Sequence, residues 1–456
     1  MIIGGLSLLF EPLALSQEKI WSLEECVKHA IDNNIQIKQQ MIQTEYQKNA
    51  LTLSKLNLLP TLNGSASHNY SFGRALDQTT YQFTSNQTIQ SNNFSIGGNL
   101  ILFNGLQNFN TIKKNSYTLL ASEEDLKNIT DNIALYVALD YLQVLLNKEL
   151  VTATDEQLQI TLQQIEKTRK LVEAGSSARG NLLQIEAQAA QEEVQLINLK
   201  NQLDISYLNL TQLLELKTPA GFEIAAPQIT LDTNTVITGN IDEIFALAEG
   251  RRPEVKSSEY NLNSSEYALK VAQGGRSPRL SMTHSFSTGY SDARKKILGY
   301  DMTTTPPTPI YGNYSFADQV NDNISYGLGF SLNIPILNGW QVNTNISNSK
   351  LAIENSQYAL EATKKTLYKS IQQAYADAVA ALKKYTASNK AVVSSEEAFR
   401  YSEQKFNIGL VTPVDYNTAK TALLKAQSDL AQAKYDFLFK SKVLDFYKGI
   451  PISLPK

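Results

Sequence analysis

Side chains able to do chemistry are few in this chain and stand far apart. Its histidines, His29, His68 and His284, are dispersed, whereas a metal centre needs a second ligand at short helical or loop spacing. Cys26 is the single cysteine; it excludes an internal disulfide and has no catalytic setting around it. The residues before it, Leu23-Glu24-Glu25, are not the small ones that precede a lipidated cysteine, so a core or surface thiol is expected. No glycine-rich phosphate loop follows a strand. Neither an enzyme nor a cofactor is called for. One carboxylate has a suggestive setting: Asp415 in Thr412-Pro413-Val414-Asp415. With Thr412 as N-cap and Pro413 at the first helical position, it falls at the third, where the helix dipole favours negative charge. Those residues predict a helix cap in which Asp415 takes part.

Composition narrows the classes further. The 456 residues carry 41 Lys+Arg against 44 Asp+Glu, a net charge of −3 without a basic block, so nucleic acid is not indicated as a partner. Hydrophobic residues make up 42% and mean hydropathy is −0.25; no segment reads as a membrane-spanning helix. Residues 1–16 hold a short apolar run ending in Ala14 and Ser16, spaced like the small residues before a signal-peptidase cut near Gln17. The basic n-region is missing and Glu11-Pro12 interrupts the run, which makes this an imperfect or truncated export signal.

The elements that must position Asp415 follow from two periodicities. Trp21 to about Leu59 reads as helix, with Ser22 as N-cap and Pro60 as the stop. Residues 61–72 then alternate polar and apolar as a first strand, and Asn93 to Phe103 as a second, with a polar, turn-rich tip over 74–92 between them. Helical character runs from about Asn108 to Val172, a rod of roughly 100 Å at 1.5 Å per residue, and again from about Arg179 to Leu216. Residues 217–240 are expected to form a linker with one short strand. Helix is expected from Ile241 to about Gln273, a third strand from Leu280 to Tyr290, and a long mobile tip over 291–322. A fourth strand spans Asn323 to Leu337, where Ile324, Tyr326, Leu328, Phe330, Leu332, Ile334 and Ile336 alternate with small and polar residues.

These halves are copies. Asn104 and Asn338 are 234 residues apart, as are Gly175 and Gly409. A seven-residue seam, Val137, Val144, Val151, Leu158, Ile165 and Val172, moves by the same offset onto Ile371, Ala378, Tyr385, Val392, Phe399 and Phe406. The stripe Leu182, Ala189, Leu196, Leu203 and Leu210 moves onto Tyr416, Leu423, Leu430, Phe437 and Leu444. The chain is a tandem duplication of helix, strand, strand, long helix, turn, helix: a first repeat over 17–216, the linker 217–240, a second repeat over 241–449 and a tail over 450–456. The seams are read as coiled-coil packing.

Each half has one strand hairpin leading into helices, so the protomer presents four strands and a set of long helices. An apolar face on an open sheet leaves unpaired backbone at its edges, and in lipid each such group costs several kcal/mol. The strands therefore close through other copies, and apolar-out, polar-in alternation is what a water-filled barrel requires. A soluble β-sandwich with helical arms is the competing architecture. His68 and His284 fall on strand faces as barrel-wall residues near an interface.

The passages Leu102-Phe103-Asn104-Gly105 and Ile336-Leu337-Asn338-Gly339, the turn segments 170–175 (KLVEAG) and 405–415 (KFNIGLVTPVD), and the opening 21–30 (WSLEECVKHA) resemble the TolC family of outer-membrane efflux channels, over about residues 20–449. The resemblance implies an α+β membrane protein: a homotrimer whose protomers each give four strands to one transmembrane β-barrel, with a long α-helical coiled-coil barrel in the periplasm of a Gram-negative bacterium. It implies a passive conduit in a tripartite efflux or type I secretion system, embedded in outer-membrane lipid and docked on a periplasmic membrane-fusion adaptor and an inner-membrane pump of RND, ABC or MFS type. The turns at Gly175, Ser176 and at Gly409, Leu410, Val411 would touch the adaptor. Family members carry acidic residues after these turns; Asp415 matches one such place, while Asn181 and Thr418 occupy two others, and Arg179 and Lys170 add positive charge. Asn104, Gly105, Asn338 and Gly339 would be the passage from barrel to helices. A non-conducting coiled-coil or adhesin-like envelope protein is the alternative.

Overall fold

A computed structural model describes residues 20–76, 83–227, 237 and 239–450; the expected export signal and most of the tail lie outside them. In chain order the elements are β1 (Ile20–Trp21), α1 (Leu23–Asn33), α2 (Ile35–Leu56), β2 (Asn63–Leu76), β3 (Phe83–Phe103), α3 (Gln107–Glu173), α4 (Arg179–Leu213), β4 (Glu223–Ile224), α5 (Ile241–Glu249) and α6 (Pro253–Gly274). Then follow β5 (Arg279–Ser291), β6 (Lys295–Asp301), β7 (Thr308–Asn313), α7 (Phe316–Asp322), β8 (Ser325–Asn333), α8 (Gln341–Asn407) and α9 (Pro413–Lys448). They form two compact units, one of Met1–Thr44, Ala121–Ser258 and Ala359–Lys456, the other of Glu45–Leu120 and Glu259–Tyr358.

The first unit is helical, and the seven-residue stripes pack its core. Val137, Val144, Leu158, Ile165, Ala189, Leu196, Leu210, Ile371, Ala378 and Val392 are all buried. Cys26 is fully buried beside Leu23, Ala30 and Tyr141, a core thiol. Ser22 caps α1 through a reciprocal pair with Glu25. The expected helix over 21–59 is two helices, because Asn34 turns its side chain back to accept from the Gln36 amide at 2.9 Å and donates to the Leu213 carbonyl at 3.2 Å. The helix expected from Ile241 breaks likewise, at Gly250 ahead of Pro253. In the linker, β4 pairs in parallel with β1. One stretch of α3 does reach the length and apolarity of a membrane span, with mean hydropathy 1.3, and half of it is buried inside the protein; its apolarity serves packing.

The second unit holds an antiparallel sheet in the order β2-β3-β5-β8. Its register sorts the two faces. Gly64, Ile96, Phe286 and Tyr326 form one row across all four strands, with Leu100, Met282 and Phe330 in a parallel row. On the opposite face Ser65, Ser95, Ser287 and Ser325 align, with hydroxyl contacts of 2.7 Å between Ser65 and Ser95 and between Ser287 and Ser325. Tyr326, Leu328, Phe330 and Leu332 stay exposed, so the apolar face is open along β8, while α7 covers its upper end through Phe316 against Phe94 and Tyr290. His68 lies on this face near its upper end, hydrogen-bonded to Asn92 and edge-on to Tyr70, while His284 pairs with Leu328 deeper in the ladder.

Strand ends differ from the sequence expectation in three places. Much of the polar stretch read as a tip is strand, since β2 reaches Leu76 and β3 begins at Phe83; ladder hydrogen bonds, not side-chain apolarity, hold it. The fourth strand is shorter than its alternation, because Pro335 supplies no amide and the ladder stops at Asn333. The segment 291–322 is ordered into the β6–β7 hairpin and α7.

Candidate functional site

The two helix-to-helix turns of the first unit share one backbone. At the end of α3, Gly175 adopts φ +71°, its amide donates to the Val172 carbonyl at 3.0 Å and the Ser176 amide to Leu171 at 2.8 Å. At the end of α8, Gly409 adopts φ +76°, its amide donates to Phe406 at 3.0 Å and Leu410 to Lys405 at 2.9 Å. Both are left-handed glycine caps that satisfy the last helical carbonyls, in the conformation glycine adopts without steric cost.

The helices that follow start differently. Thr412 caps α9: its hydroxyl accepts from the Asp415 amide at 3.2 Å and donates to Asp415 Oδ2 at 2.7 Å, while that carboxylate also accepts from the Thr412 amide at 3.2 Å. These bonds hold the Asp415 carboxyl below the usual carboxylate range. Ala178 begins α4 without any side-chain cap. Asn181, the counterpart of Asp415, donates instead to Ser177 Oγ at 3.2 Å. Arg179, Asp415 and Thr418 are exposed, and Val411 is half-buried; Thr418 Oγ1 donates to the Val414 carbonyl at 2.8 Å. Below the second turn Tyr416 is buried against Phe399 and Phe406, at 5.5 and 4.6 Å between ring centroids.

One feature near these turns escaped the sequence reading. Lys420 of α9 is only 4% exposed, and its ammonium donates to Thr161 Oγ1 of α3 at 2.6 Å. Thr161 in turn contacts the Glu192 carboxylate of α4, which also accepts from Gln188 at 2.9 Å. Burial pushes the Lys420 ammonium pKa down and the nearby Glu192 charge draws it back up. This buried polar cluster ties the α3–α4 hairpin to α9. The signal that could have found it is spacing: Thr161 and Glu192 each stand three residues after a seam position, Leu158 and Ala189, so they face inward.

In the second unit the passages are built alike. Gly105 and Leu106 adopt φ +64° and +62°, and Gly339 and Trp340 adopt +59° and +65°. Two consecutive left-handed residues, one with a side chain, are costly, yet they recur at the 234-residue offset. Asn104 Nδ2 donates to Asn108 Oδ1 at 2.9 Å, and the carbonyls of Asn104 and Asn338 accept from Gln107 and Gln341. A Cβ at Gly105 would come within 2.5 Å of the Gly274 carbonyl.

The protomer thus combines a four-stranded antiparallel sheet with two 67-residue helices related by the 234-residue offset. The model of the family described as outer membrane efflux protein matches residues 26–215 and 245–448, and the chain belongs to that family. No curated protein matches it. Among solved structures it is similar to the CmeC outer membrane channel of Campylobacter jejuni, with TM-score 0.79 and 17% identity over 94% of this chain and 85% of that one. It is also similar to CusC, with TM-score 0.78 and 16% identity over 94% and 92% of the two chains. A third is the outer membrane protein VceC of Vibrio cholerae, with TM-score 0.74 and 14% identity over 94% and 96%.

Proposed function

We propose that this chain is one protomer of a trimeric outer-membrane channel, a passive conduit in a tripartite efflux or type I secretion system. The observation that carries the reading is the open sheet: β2 and β8 are its two edges, and its apolar face is exposed along β8. In hydrocarbon both edges must be paired, and joining β8 of one copy to β2 of the next pairs them all while leaving the serine rows toward a water-filled lumen. Three copies would give twelve strands, the number the family resemblance suggests.

On this reading the helices lie in the periplasm. The turns at Gly175, Ser176, Gly409, Leu410 and Val411 meet a membrane-fusion adaptor that links the channel to an inner-membrane pump. Asp415, Asn181, Thr418 and Arg179 surround the periplasmic constriction, and Asn104, Gly105, Asn338 and Gly339 form the passage from barrel to helices. Asp415 would act both as cap and as the negative charge at the opening, with Arg179 opposing strong cation preference. The test is reconstitution of the purified, full-length protein in a planar bilayer. Discrete conductance steps from a trimer are expected, and Asp415→Asn should change conductance or cation preference. A trimer that carries no current would instead favour a structural envelope protein; unaltered conductance and selectivity in Asp415→Asn would remove that residue from the constriction.

A further inference from the structure

Charge is missing from one level of the second unit and returns with one sign. Residues 56–73, 83–112, 280–291 and 323–349 contain no Asp, Glu, Lys or Arg, so nearly all of the four-stranded sheet and the passages below it are uncharged. On every path from the sheet into the helices the first charged residue is a cation: Lys55 on α2, Lys113 on α3, Arg279 at the foot of β5 ahead of α6, and Lys350 on α8. A second cation follows on the first three paths, Lys48, Lys114 and Arg276. Each path stays cationic until Glu45, Glu123, Glu266 and Glu354. In a chain of net charge −3, this band is wholly positive.

Between the sheet and those cations lies an apolar ring. Phe103 pairs with Leu280 and Leu280 with Leu332, so the last apolar row of the sheet crosses three strands. Next to it Leu62, Leu106, Phe109, Ile336, Leu337 and Trp340 are exposed, Ile336 at 93% and Trp340 at 70%. Leu106 and Trp340 stand on left-handed backbone, at φ +62° and +65°. A conformation that is costly for any residue with a Cβ, held at the same place in both repeats, points to a use for those side chains. On α3 the order of the layers is explicit. That helix meets α2 through Asn115, whose Nδ2 donates to the Ala50 carbonyl at 3.3 Å, and α6 through Gln107, at 3.0 Å to the Val271 carbonyl, and Thr118, at 2.9 Å to Ser264 Oγ. Phe109 and Lys113 stand on the opposite side of the helix, both exposed, with Lys113 one turn, about 6 Å, farther from the sheet.

Resting on the outer-membrane channel reading, we propose that this junction is a phospholipid collar: the apolar ring enters the boundary between acyl chains and headgroups, and the cations beyond it bind the phosphates of anionic phospholipid. The order of the layers selects this occupant. An uncharged sheet, then exposed Leu and Trp, then lysines reproduces the passage from hydrocarbon through the interface to charged headgroups. Water is a poor partner for the ring, and an apolar protein surface would have no use for the cations. Lys113 can lay its methylene stem beside Phe109 and keep its ammonium among the phosphates. The collar lies on the helical side of the sheet, so its lipid is that of the periplasmic leaflet. It sets the depth of the barrel and gives it a preference for negatively charged headgroups, neither of which strand pairing decides.

Trp340 is itself the reporter, since Trp21 is the only other tryptophan. The full-length protein is reconstituted in phosphatidylcholine vesicles that hold a minor share of lipid spin-labelled high on the acyl chain, the label carried by phosphatidylglycerol or by phosphatidylcholine. Trp340 emission is the difference between this protein and Trp340→Phe, which retains Trp21, and Leu328→Trp in the Trp340→Phe background reads the sheet. Both labels should quench Trp340, the phosphatidylglycerol label about fivefold more effectively, roughly what one lysine near an anionic surface supplies. Joint Lys55→Gln, Lys113→Gln and Lys350→Gln should bring that ratio toward one. Equal quenching by the two headgroups, or a triple variant that alters ion selectivity of the channel without altering the ratio, overturns the collar. Quenching at Leu328→Trp without quenching at Trp340 also overturns it while the membrane-spanning sheet stands. Quenching at neither position overturns both.

Discussion

The α3–α4 and α8–α9 turns are one backbone with two different sets of side chains. Hydrogen bonds, glycine conformation and the 234-residue offset agree between Gly175 and Gly409, but the second turn has a reciprocal Thr412–Asp415 cap and the first has Ala178 and none. Beneath them the packing diverges in the same sense. Ile165, Val172 and Leu182 of the first half correspond to Phe399, Phe406 and Tyr416 of the second. A duplicated backbone can thus be conserved by two glycines while caps and packing specialise. Shape at this end is set by main-chain geometry, and charge and local rigidity by a few side chains.

Substitutions in and beneath the two turns test this difference, in decreasing order of expected effect. The largest effect is expected from Glu192→Ala, which leaves the Lys420 ammonium buried with less compensation. Removing one partner of a buried charged pair costs on the order of 3 kcal/mol, to be read as a lower thermal dissociation midpoint of the detergent-solubilised oligomer. Pairing Glu192→Leu with Lys420→Met should recover most of the loss. The pH dependence has a defined sign. Because the folded Lys420 pKa lies below its value of 10.5 in the unfolded chain, the cost of its charge is fully present below the folded value and is relieved as pH rises toward 10.5. Lys420→Met should abolish that alkaline gain.

Gly175→Ala and Gly409→Ala come next. Each forces a Cβ into the left-handed region at about 1 kcal/mol, and hydrogen exchange at amides 171–176 and 405–410 should show equal loss of protection; a large inequality would end the claim of one backbone. Thr412→Ala should cost about 1 kcal/mol of local stability, whereas Ala178→Ser should add a similar amount to the first turn and bring the two exchange profiles together. The smallest effect is the acid response. The Asp415 carboxyl has a lowered pKa, so its contribution is present above the ordinary value of 3.8 and is lost as pH falls through the lower folded value. Exchange protection at 412–416 should therefore weaken in acid, and Asp415→Asn should remove that dependence while the first turn stays indifferent.

Much of this was legible from sequence, for reasons that are themselves physical. Alternation with period two and seams with period seven are local consequences of strand and helix geometry, so the four strands, the long helices and the duplicated plan could be read directly. The glycines at 175 and 409 marked turns because helix ends favour a left-handed residue, and Thr412-Pro413-Val414-Asp415 announced its own cap. Legibility failed where an element is held from a distance. Residues 83–90 look like a loop because their strand character rests on pairing with β2 alone. The hairpin β6–β7 and α7 were hidden in a stretch containing Thr305-Pro306-Pro307-Thr308-Pro309, whose prolines argue for breaks.

What the sequence alone determined is the repeating programme of elements and the chemistry of each face, because both follow from residues close together in the chain. Only the tertiary structure decided which strands lie at the edges, how α7 seats the outer hairpin, and that Lys420 meets Thr161 across 259 residues of sequence. Those depend on packing between distant segments, and no local period records which lysine will be buried.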